Sequence, residues 1–225
     1  PTVLAADTTA LTGSATANAM EAEVTTKDGT STIGYKSLPD AFAAAKTLEG
    51  CTVKIIAEAN QLSLADGIYA DTTGDDYVTL DLNGHSVDGY ALRVGGSSGH
   101  SGKLKVIDSS NGNGAIGLAV RDGGDVEFYG GVTTTCLQLQ YYGGTFKFYG
   151  GHIKFNANNL SNNSKATDFL PSGYAYYNYS GLGSELGSIV KLTDVDSAIS
   201  AERYLAAAPC THGSYVNDIC EYCGT

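Results

Sequence analysis

The chain has 225 residues, among them 29 glycines, 15 tyrosines, one methionine and no tryptophan. Its 24 acidic and 13 basic residues give a formal charge of −11, which argues against nucleic acid or an anionic membrane as a partner because both attract clustered Lys and Arg. No apolar run approaches the length of a membrane span. The length fits one domain with small appendages, and the many glycines and tyrosines indicate a turn-rich β protein.

Residues 1–19 predict a flexible leader. Pro1 to Ala6 are similar to the end of a secretory signal with a Val-x-Ala cleavage pattern, and residues 7–19 are rich in Ala and Thr. We therefore expect a leader or a signal-peptide remnant here, and an exported protein.

Residues 20–50 predict a hairpin followed by a helix. The hairpin turns at Asp28-Gly29, and Ser37 with Asp40 has the spacing of a helix N-cap. An apolar stripe at helical spacing follows, formed by Leu38, Ala41, Phe42, Ala45 and Leu48. Gly50 ends the helix. We expect this segment to cover the first coil of a repeat fold, because an open end would expose unpaired strand edges.

Two stretches of nine residues are near-copies, 20 residues apart. Gly123 to Gly131 read Gly-Gly-Asp-Val-Glu-Phe-Tyr-Gly-Gly, and Gly143 to Gly151 read Gly-Gly-Thr-Phe-Lys-Phe-Tyr-Gly-Gly. A short fixed period is typical of stacked structural repeats. In each copy, alternation buries the apolar residues and turns Glu127 or Lys147 to the solvent, so that parallel stacking makes these two residues neighbours.

Apolar-x-apolar triplets extend the repeat along the chain. The first series starts at intervals of 27, 24, 22 and 20 residues and comprises Val53-Lys54-Ile55, Leu80-Asp81-Leu82, Leu104-Lys105-Val106, Val126-Glu127-Phe128 and Phe146-Lys147-Phe148. A second series comprises Leu92-Arg93-Val94, Leu118-Ala119-Val120, Leu137-Gln138-Leu139 and Ile153-Lys154-Phe155. Each coil therefore has at least two short strands separated by polar and glycine corners. Val190-Lys191-Leu192 is a further triplet, which leaves room for one more coil or for an insertion.

The repeat predicts an all-β fold, a right-handed parallel β-helix over residues 51–195. A leucine-rich repeat has a similar period, but its L-x-x-L-x-L-x-x-N spacing and its helical segments are missing. A β-sandwich also has short strands with turn signals, yet it does not account for the nine-residue recurrence.

A tyrosine-rich segment, residues 156–183, interrupts the repeat. Tyrosines interleaved with Asn, Ser and Gly are typical of binding loops, and they also suit stacking on sugar rings. The predicted ligand-binding residues are Tyr174, Tyr176, Tyr177, Asn178 and Tyr179, with Tyr141 and Tyr142. Tyr129 and Tyr149 would extend an aromatic strip along the stack. The alternative is that alternate tyrosines cover the last coil.

Residues 196–225 predict a helix and a Cys/His tail. The tail contains Cys210-Thr211-His212 and Cys220-Glu221-Tyr222-Cys223. Two pairs of soft or borderline ligands, Cys210 with His212 and Cys220 with Cys223, predict a closed, tetrahedral, structural Zn²⁺ site. A disulfide is the main alternative in an exported chain, although it gives the histidine no role. A nucleophilic thiolate is a third alternative.

The sequence offers no strong catalytic constellation. The candidate acids are Asp71, Asp75, Asp76, Asp108, Asp122 and Asp125, and the candidate histidines are His85, His100 and His152. Asp beside Gly is usually a turn residue, and the 13 basic residues do not cluster as a uronate-binding groove would require. We therefore expect a protein that is not an enzyme.

The N-terminal half resembles a known family. Residues 35–42, residues 52–56 and the stretch Val78-Thr79-Leu80-Asp81-Leu82-Asn83-Gly84-His85 look like the pectate-lyase-like β-helix modules of large surface proteins of gut Firmicutes. The resemblance covers most of residues 20–225 and implies a bacterial protein that is secreted or associated with the cell wall. Fold likeness does not supply a ligand.

The function predicted from these features is recognition without catalysis. Proteins of the resembled group include adhesin-like and immunoglobulin-binding proteins, so the resemblance implies a host glycoprotein as partner, with an immunoglobulin as a specific candidate. A carbohydrate-active or glycan-binding module for mucin or plant polysaccharide is the alternative. A passive spacer is a third possibility.

Overall fold

The protein is a parallel β-solenoid with two long sheets, seen in a computed structural model. The structure describes residues 20–57, 68–96, 99–110, 114–133, 138–139, 143–154, 165–179, 186–200 and 204–225. The predicted leader, Tyr141 and Tyr142 lie outside the described residues.

The described elements are mostly short strands. In chain order they are β1 (Ala22–Thr25), β2 (Thr32–Tyr35), β3 (Thr52–Ile55), β4 (Ile68–Tyr69), β5 (Val78–Asp81), β6 (Ser86–Val94), β7 (Gly102–Ile107), β8 (Ala115–Val120), β9 (Gly124–Phe128), β10 (Val132–Thr133), β11 (Gln138–Leu139), β12 (Thr145–Phe148), β13 (His152–Lys154), β14 (Tyr174–Tyr179), β15 (Tyr204–Pro209), β16 (Tyr215–Val216) and β17 (Ile219–Cys220). The α-helices are α1 (Leu38–Ala45) and α2 (Val195–Ser200), and 3-10 helices span Ala166–Phe169 and Leu192–Asp194. No helix in the described ranges is both long and apolar enough to cross a membrane.

The first sheet stacks the first series of triplets in register. Its order is β12-β9-β7-β5-β3-β1-β2, and the strands from β3 to β12 pair in parallel. Val126 pairs with Leu104 on one side and with Phe146 on the other. Glu127 lies opposite Lys147, as the 20-residue repeat predicts. The predicted parallel β-helix is confirmed.

The second sheet confirms part of the second series. Its order is β14-β15-β13-β10-β8-β6-β4, and β11 pairs separately with β8. Leu92 pairs with Leu118 as expected. Ile153, in contrast, does not follow the Leu137 triplet but pairs with Thr133 of β10. In this coil two short strands, β10 and β11, take the place of one strand of the second sheet. The triplet at Val190 adds no further coil: Ile189 forms a single bridge with Tyr177 of β14, and a 3-10 helix begins at Leu192.

Aromatic side chains fill the later coils of the core. Phe128, Phe146 and Phe148 are fully buried, and the Phe128 ring centroid lies 6.3 Å from that of Phe146 and 5.9 Å from that of Phe148. Phe169 closes this layer by meeting Phe146 edge-on at 5.6 Å. The alternation predicted for each strand therefore places one continuous apolar column inside the solenoid.

The N-terminal segment covers the first coil as predicted. β1 pairs antiparallel with both β2 and β3, so the hairpin extends the first sheet. Ser37 is the N-cap of α1, and its hydroxyl accepts a hydrogen bond from the Asp40 backbone N–H at 3.2 Å. The helix ends at Ala45, and the chain then turns through Gly50, whose φ of +66° favours glycine.

The opposite end of the second sheet is closed by antiparallel strands. β15 pairs with β13 on one side and with β14 on the other. β14 lies within the tyrosine-rich segment, and its bulky Tyr177 and Tyr176 lie opposite the small Ala206 and Ala207. The helix predicted near residue 196 is α2, and β15 is an additional strand between it and the tail.

Candidate metal centre

The four predicted metal ligands are brought together by the C-terminal chain. Cys210 directly follows β15, and the β16–β17 hairpin returns the chain to place Cys220 beside it. The hairpin turns at Asn217 and Asp218, whose φ values of 52° and 63° are typical of a two-residue turn with a left-handed backbone. His212 also has a positive φ of 49°, which folds the short segment after Cys210.

Four side chains have ligand atoms at a spacing that suits a metal ion. They are Cys210, His212, Cys220 and Cys223, here called the Cys3His group. Their ligand atoms all lie within 4.8 Å of one another. The sulfurs of Cys210 and Cys220 are 3.6 Å apart, and Cys223 Sγ is 3.5 Å from His212 Nδ1. A tetrahedron with Zn–S bonds of about 2.3 Å and Zn–N bonds of about 2.0 Å has edges of roughly 3.5 to 3.8 Å. A disulfide needs about 2.05 Å between sulfurs, so the 3.6 Å between the Cys210 and Cys220 sulfurs is not a disulfide bond.

Backbone N–H groups surround the sulfurs. The His212 N–H points at Cys210 Sγ with a separation of 3.3 Å. Cys220 accepts hydrogen bonds from the backbone N–H groups of Tyr222 and Cys223. Such donors stabilise thiolates, which are the form that binds metals.

The pKa values of Cys210 and Cys220 are shifted in opposite directions. Burial raises the pKa of Cys210 to about 12, more than the His212 N–H lowers it. Burial also acts to raise the pKa of Cys220, but the hydrogen bonds from Tyr222, Cys223 and His212 outweigh it and lower the pKa to about 6. Metal binding would displace the protons that remain on this pair of cysteines, so metal affinity is expected to rise with pH.

The tail is anchored to the preceding chain by a small core and an ion pair. Ala175, Tyr177, Ala206, Cys210 and Cys220 form an apolar cluster separate from the main core. The Glu221 carboxylate accepts hydrogen bonds from Lys191 Nζ at 3.0 and 3.1 Å and from the Ser214 hydroxyl. The hydrogen bond from Ser214, followed by that from Lys191, lowers the pKa of Glu221. The Leu192 N–H donates to the Glu221 carbonyl at 3.0 Å.

The predicted binding residues at 174–179 form the strand β14, in which Tyr176, Tyr177 and Tyr179 are buried. Tyr176 is fully buried and donates a 2.6 Å hydrogen bond to the Ala166 carbonyl. Tyr177 is 8 % exposed and Tyr179 is 6 % exposed, whereas Tyr174 and Asn178 are half-buried. This burial supports the alternative in which tyrosines cover the last coil, because a ring without solvent contact cannot reach a ligand.

The structure instead places three tyrosines in a row, of which Tyr129 is exposed and Tyr149 and Tyr174 are half-buried. Tyr129 and Tyr149 stack with ring centroids 4.5 Å apart and planes 3° from parallel, and Tyr174 meets Tyr149 edge-on at 5.5 Å. We call these three residues the tyrosine column. The column arises because the repeat puts Tyr129 and Tyr149 at equivalent positions of adjacent coils. Burial, and next the hydrogen bond to Glu127, raise the pKa of Tyr129 to about 12.

Several acidic residues weighed as catalysts have structural roles. Asp108 accepts hydrogen bonds from the N–H groups of Gly84 at 2.8 Å and Gly114 at 3.0 Å, and so holds two turns together. The Asp125 carboxylate accepts a 2.6 Å hydrogen bond from the Tyr77 hydroxyl. These residues fit the turn and surface roles expected from their glycine-rich surroundings.

A cluster around Asp71 was not foreseen from the sequence. Asp71 is buried and binds His100 Nδ1 at 2.9 Å and Lys46 Nζ at 3.2 Å. His100 stacks on Tyr69 at 3.7 Å, and Arg93 donates to the Tyr69 hydroxyl at 3.2 Å. The cluster joins the end of α1 to the next coils. Its members are far apart in sequence, so no spacing signal could have grouped them.

Fold and site together define a class of protein: a parallel β-solenoid with a C-terminal Cys3His group that can hold a metal ion. Comparisons with protein-family models, with curated proteins and with solved structures found no match for the chain. The resemblance to pectate-lyase-like surface modules therefore stays a prediction.

Proposed function

We propose that this protein is a non-catalytic binding module whose C-terminal end is locked by a structural zinc ion and whose tyrosine column contacts a partner protein. The observation that carries the binding role is the column itself, an aromatic surface on an otherwise polar face. Tyr129 is 38 % exposed, although it is a large side chain. Exposed tyrosines of this kind are enriched in protein interfaces.

The ligand set favours zinc as the metal of the Cys3His group. Three sulfurs and one imidazole suit Zn²⁺ and are poor ligands for Ca²⁺ or Mg²⁺, which prefer oxygen. Four protein ligands leave no open position for water or substrate. The zinc would therefore have a structural role.

The geometry of the column favours a protein over a glycan as the ligand there. Lys105 Nζ lies 4.4 Å from the centroid of the Tyr129 ring, and Tyr149 stacks on that ring from the next coil. Tyr174 then abuts Tyr149. A sugar ring needs a free aromatic face for stacking, and neighbours already occupy these faces. The column offers ring edges and hydroxyl groups, which suit a protein surface.

The charge of the chain defines its partner further. Glu127 beside the column lies between Lys105 and Lys147 on the neighbouring strands, so the charge at the column is balanced, and the preference for a basic partner rests on the net charge of −11 of the whole chain. We propose a partner surface with exposed Lys or Arg, because complementary charge raises the association rate and excludes other acidic proteins. We propose a host glycoprotein as the partner, with an immunoglobulin as the first candidate. This protein would then be secreted by a bacterium or associated with its cell wall.

The experiment is a binding assay with a double variant of the column. Changing Tyr129 and Tyr149 to Ala is expected to weaken binding to immobilised immunoglobulin G at least about tenfold, since interface tyrosines often contribute more than 1 kcal/mol each. Biolayer interferometry at two salt concentrations measures the loss and the charge dependence.

The matched control is Ile33→Ala, which removes an exposed apolar side chain at the other end of the first sheet. It is expected to bind as the wild type does. Equal affinity of the wild type and the double variant would exclude the column as the contact surface, and absence of binding by the wild type would exclude immunoglobulin G.

A further inference from the structure

The pair of strands β14 and β15 is apolar on both of its faces. Tyr176 of β14 and Ala207, which lies opposite, face the main core. The neighbours of Tyr176 along the strand, Ala175 and Tyr177, point to the other side of the sheet and belong to a second cluster. Ala175 has no exposed surface, and Tyr177 is nearly buried. The outer face of an antiparallel pair is commonly in contact with solvent, so this face has a cover.

The cover is the C-terminal tail, residues 210–225. The second cluster joins Ala175, Tyr177 and Ala206 of the strands to Cys210 and Cys220 of the tail, and Ile189, Ala208, Tyr222 and Cys223 are partly buried beside it. To this cluster the tail contributes Tyr222 and its three cysteines. The side chains that shield the outer face are therefore mostly those of the Cys3His group.

The tail has little core of its own apart from these residues. Its large apolar side chains Tyr215, Val216 and Ile219 are each more than half exposed. The strands β16 and β17 have two residues each, and an isolated hairpin is at best marginally stable in water. Segments too small to bury a core are commonly held together by a metal ion. The closed position of the tail therefore depends on the Cys3His group.

The other contacts of the tail meet at one residue next to a metal ligand. Glu221 directly follows Cys220, and its carbonyl accepts a hydrogen bond from the Leu192 N–H at 3.0 Å. Its carboxylate binds Lys191 Nζ at 3.0 and 3.1 Å. Both side chains of this ion pair are partly exposed, so the pair alone stabilises the closed tail only weakly. Both contacts are lost when the segment around Cys220 moves away.

We propose that the tail is a metal-latched cover. With a metal bound, the Cys3His group holds residues 210–225 over the outer face of β14 and β15, and loss of the metal lets the tail open and expose that face. The main core stays closed, because Tyr176 and Ala207 face the other way. This proposal rests on the metal centre proposed above. At a metal concentration of about 100 times Kd, binding favours the closed tail over the open tail by a factor of about 100.

The test is amide hydrogen exchange, measured by NMR on the full ¹⁵N-labelled chain loaded with zinc and again after a chelator has removed the zinc. The reporter is the Leu192 amide, whose hydrogen bond ends on the tail. Its exchange rate is expected to rise at least tenfold without metal. The Val190 amide donates to the Tyr176 carbonyl at 2.8 Å, independently of the tail, and is expected to keep its rate. Added Zn²⁺ is expected to restore the slow exchange at Leu192.

A dye and two variants complete the test. The fluorescence of ANS, which binds exposed apolar surface, is expected to rise when the metal is removed. His212→Ala, which removes one ligand, is expected to speed exchange at Leu192 even in the presence of zinc. Ile219→Ser changes an exposed side chain of the same tail and is expected to leave the exchange rates as they are in the wild type.

The metal content of each sample is measured as well, so that the two proposals fail in different ways. Loss of zinc with unchanged exchange at Leu192 would overturn the cover and leave the metal centre in place. Equal acceleration at Leu192 and at the amides of β9 would also overturn the cover, because the whole domain would then be opening. A chain that binds no zinc would overturn the metal centre, and the metal latch with it.

Discussion

Replacing Cys220 by serine is expected to abolish metal binding and to lower the midpoint temperature of thermal unfolding by about 5–10 °C. Cys220 is fully buried, and its sulfur lies 3.6 Å from that of Cys210. A metal present at about 100 times its Kd adds about 2.7 kcal/mol to the free energy of unfolding. In a domain of this size, each kcal/mol shifts the midpoint by about 2–4 °C. Differential scanning calorimetry with and without a chelator measures the effect.

The control for this substitution is Cys51→Ala. Cys51 is also a buried free cysteine, but it lies at the first coil, away from the Cys3His group. The alanine variant is expected to be less stable than the wild type and yet to keep its metal and its response to the chelator. A wild-type midpoint that falls with a reducing agent and ignores the chelator would contradict the metal centre and support a disulfide.

Replacing Phe128 by alanine is expected to lower the free energy of unfolding by about 3–5 kcal/mol. The Phe128 side chain is fully buried between coils, with the rings of Phe146 and Phe148 within 6.3 Å of its own. The solenoid cannot close the resulting cavity without shifting β9 against both of its parallel neighbours, β7 and β12. Urea denaturation followed by circular dichroism measures the loss.

Tyr129→Ala is the matched comparison, one residue further along the chain. The Tyr129 ring faces outward and has one stacked partner, so its removal is expected to cost about 1 kcal/mol. Equal destabilisation by the two substitutions would contradict the burial of Phe128 and the exposure of Tyr129 at the end of β9.

The regular part of the fold could be predicted because it is encoded locally and repeatedly. Val126 and Phe146 occupy the same place in two copies of one motif, and the structure pairs them directly. The closing strands carry no such signal. β15 is rich in alanine, which has little preference for a strand, and it forms because Ala206 and Ala207 leave room for Tyr177 and Tyr176 opposite. This complementarity joins distant segments and is invisible to a local pattern.

That the four residues of the Cys3His group lie together was predictable from their spacing, because each short pair places two ligands side by side, whereas spacing alone did not separate a metal site from a disulfide. The ligand-binding tyrosines were harder to assign. Composition alone does not distinguish a binding loop from a strand. Tyr174 and Tyr176 lie on the same face of β14, so alternation does not predict that Tyr176 is fully buried while Tyr174 is half-buried.

The metal centre is tested most directly by metal analysis and zinc K-edge X-ray absorption on protein purified without a chelator. We predict one zinc ion per chain, with three sulfur ligands at about 2.3 Å and one nitrogen at about 2.0 Å. Two results would contradict the metal centre. One is a chain without zinc whose tail cysteines react with thiol reagents only after reduction, and the other is a zinc ion ligated by oxygen alone.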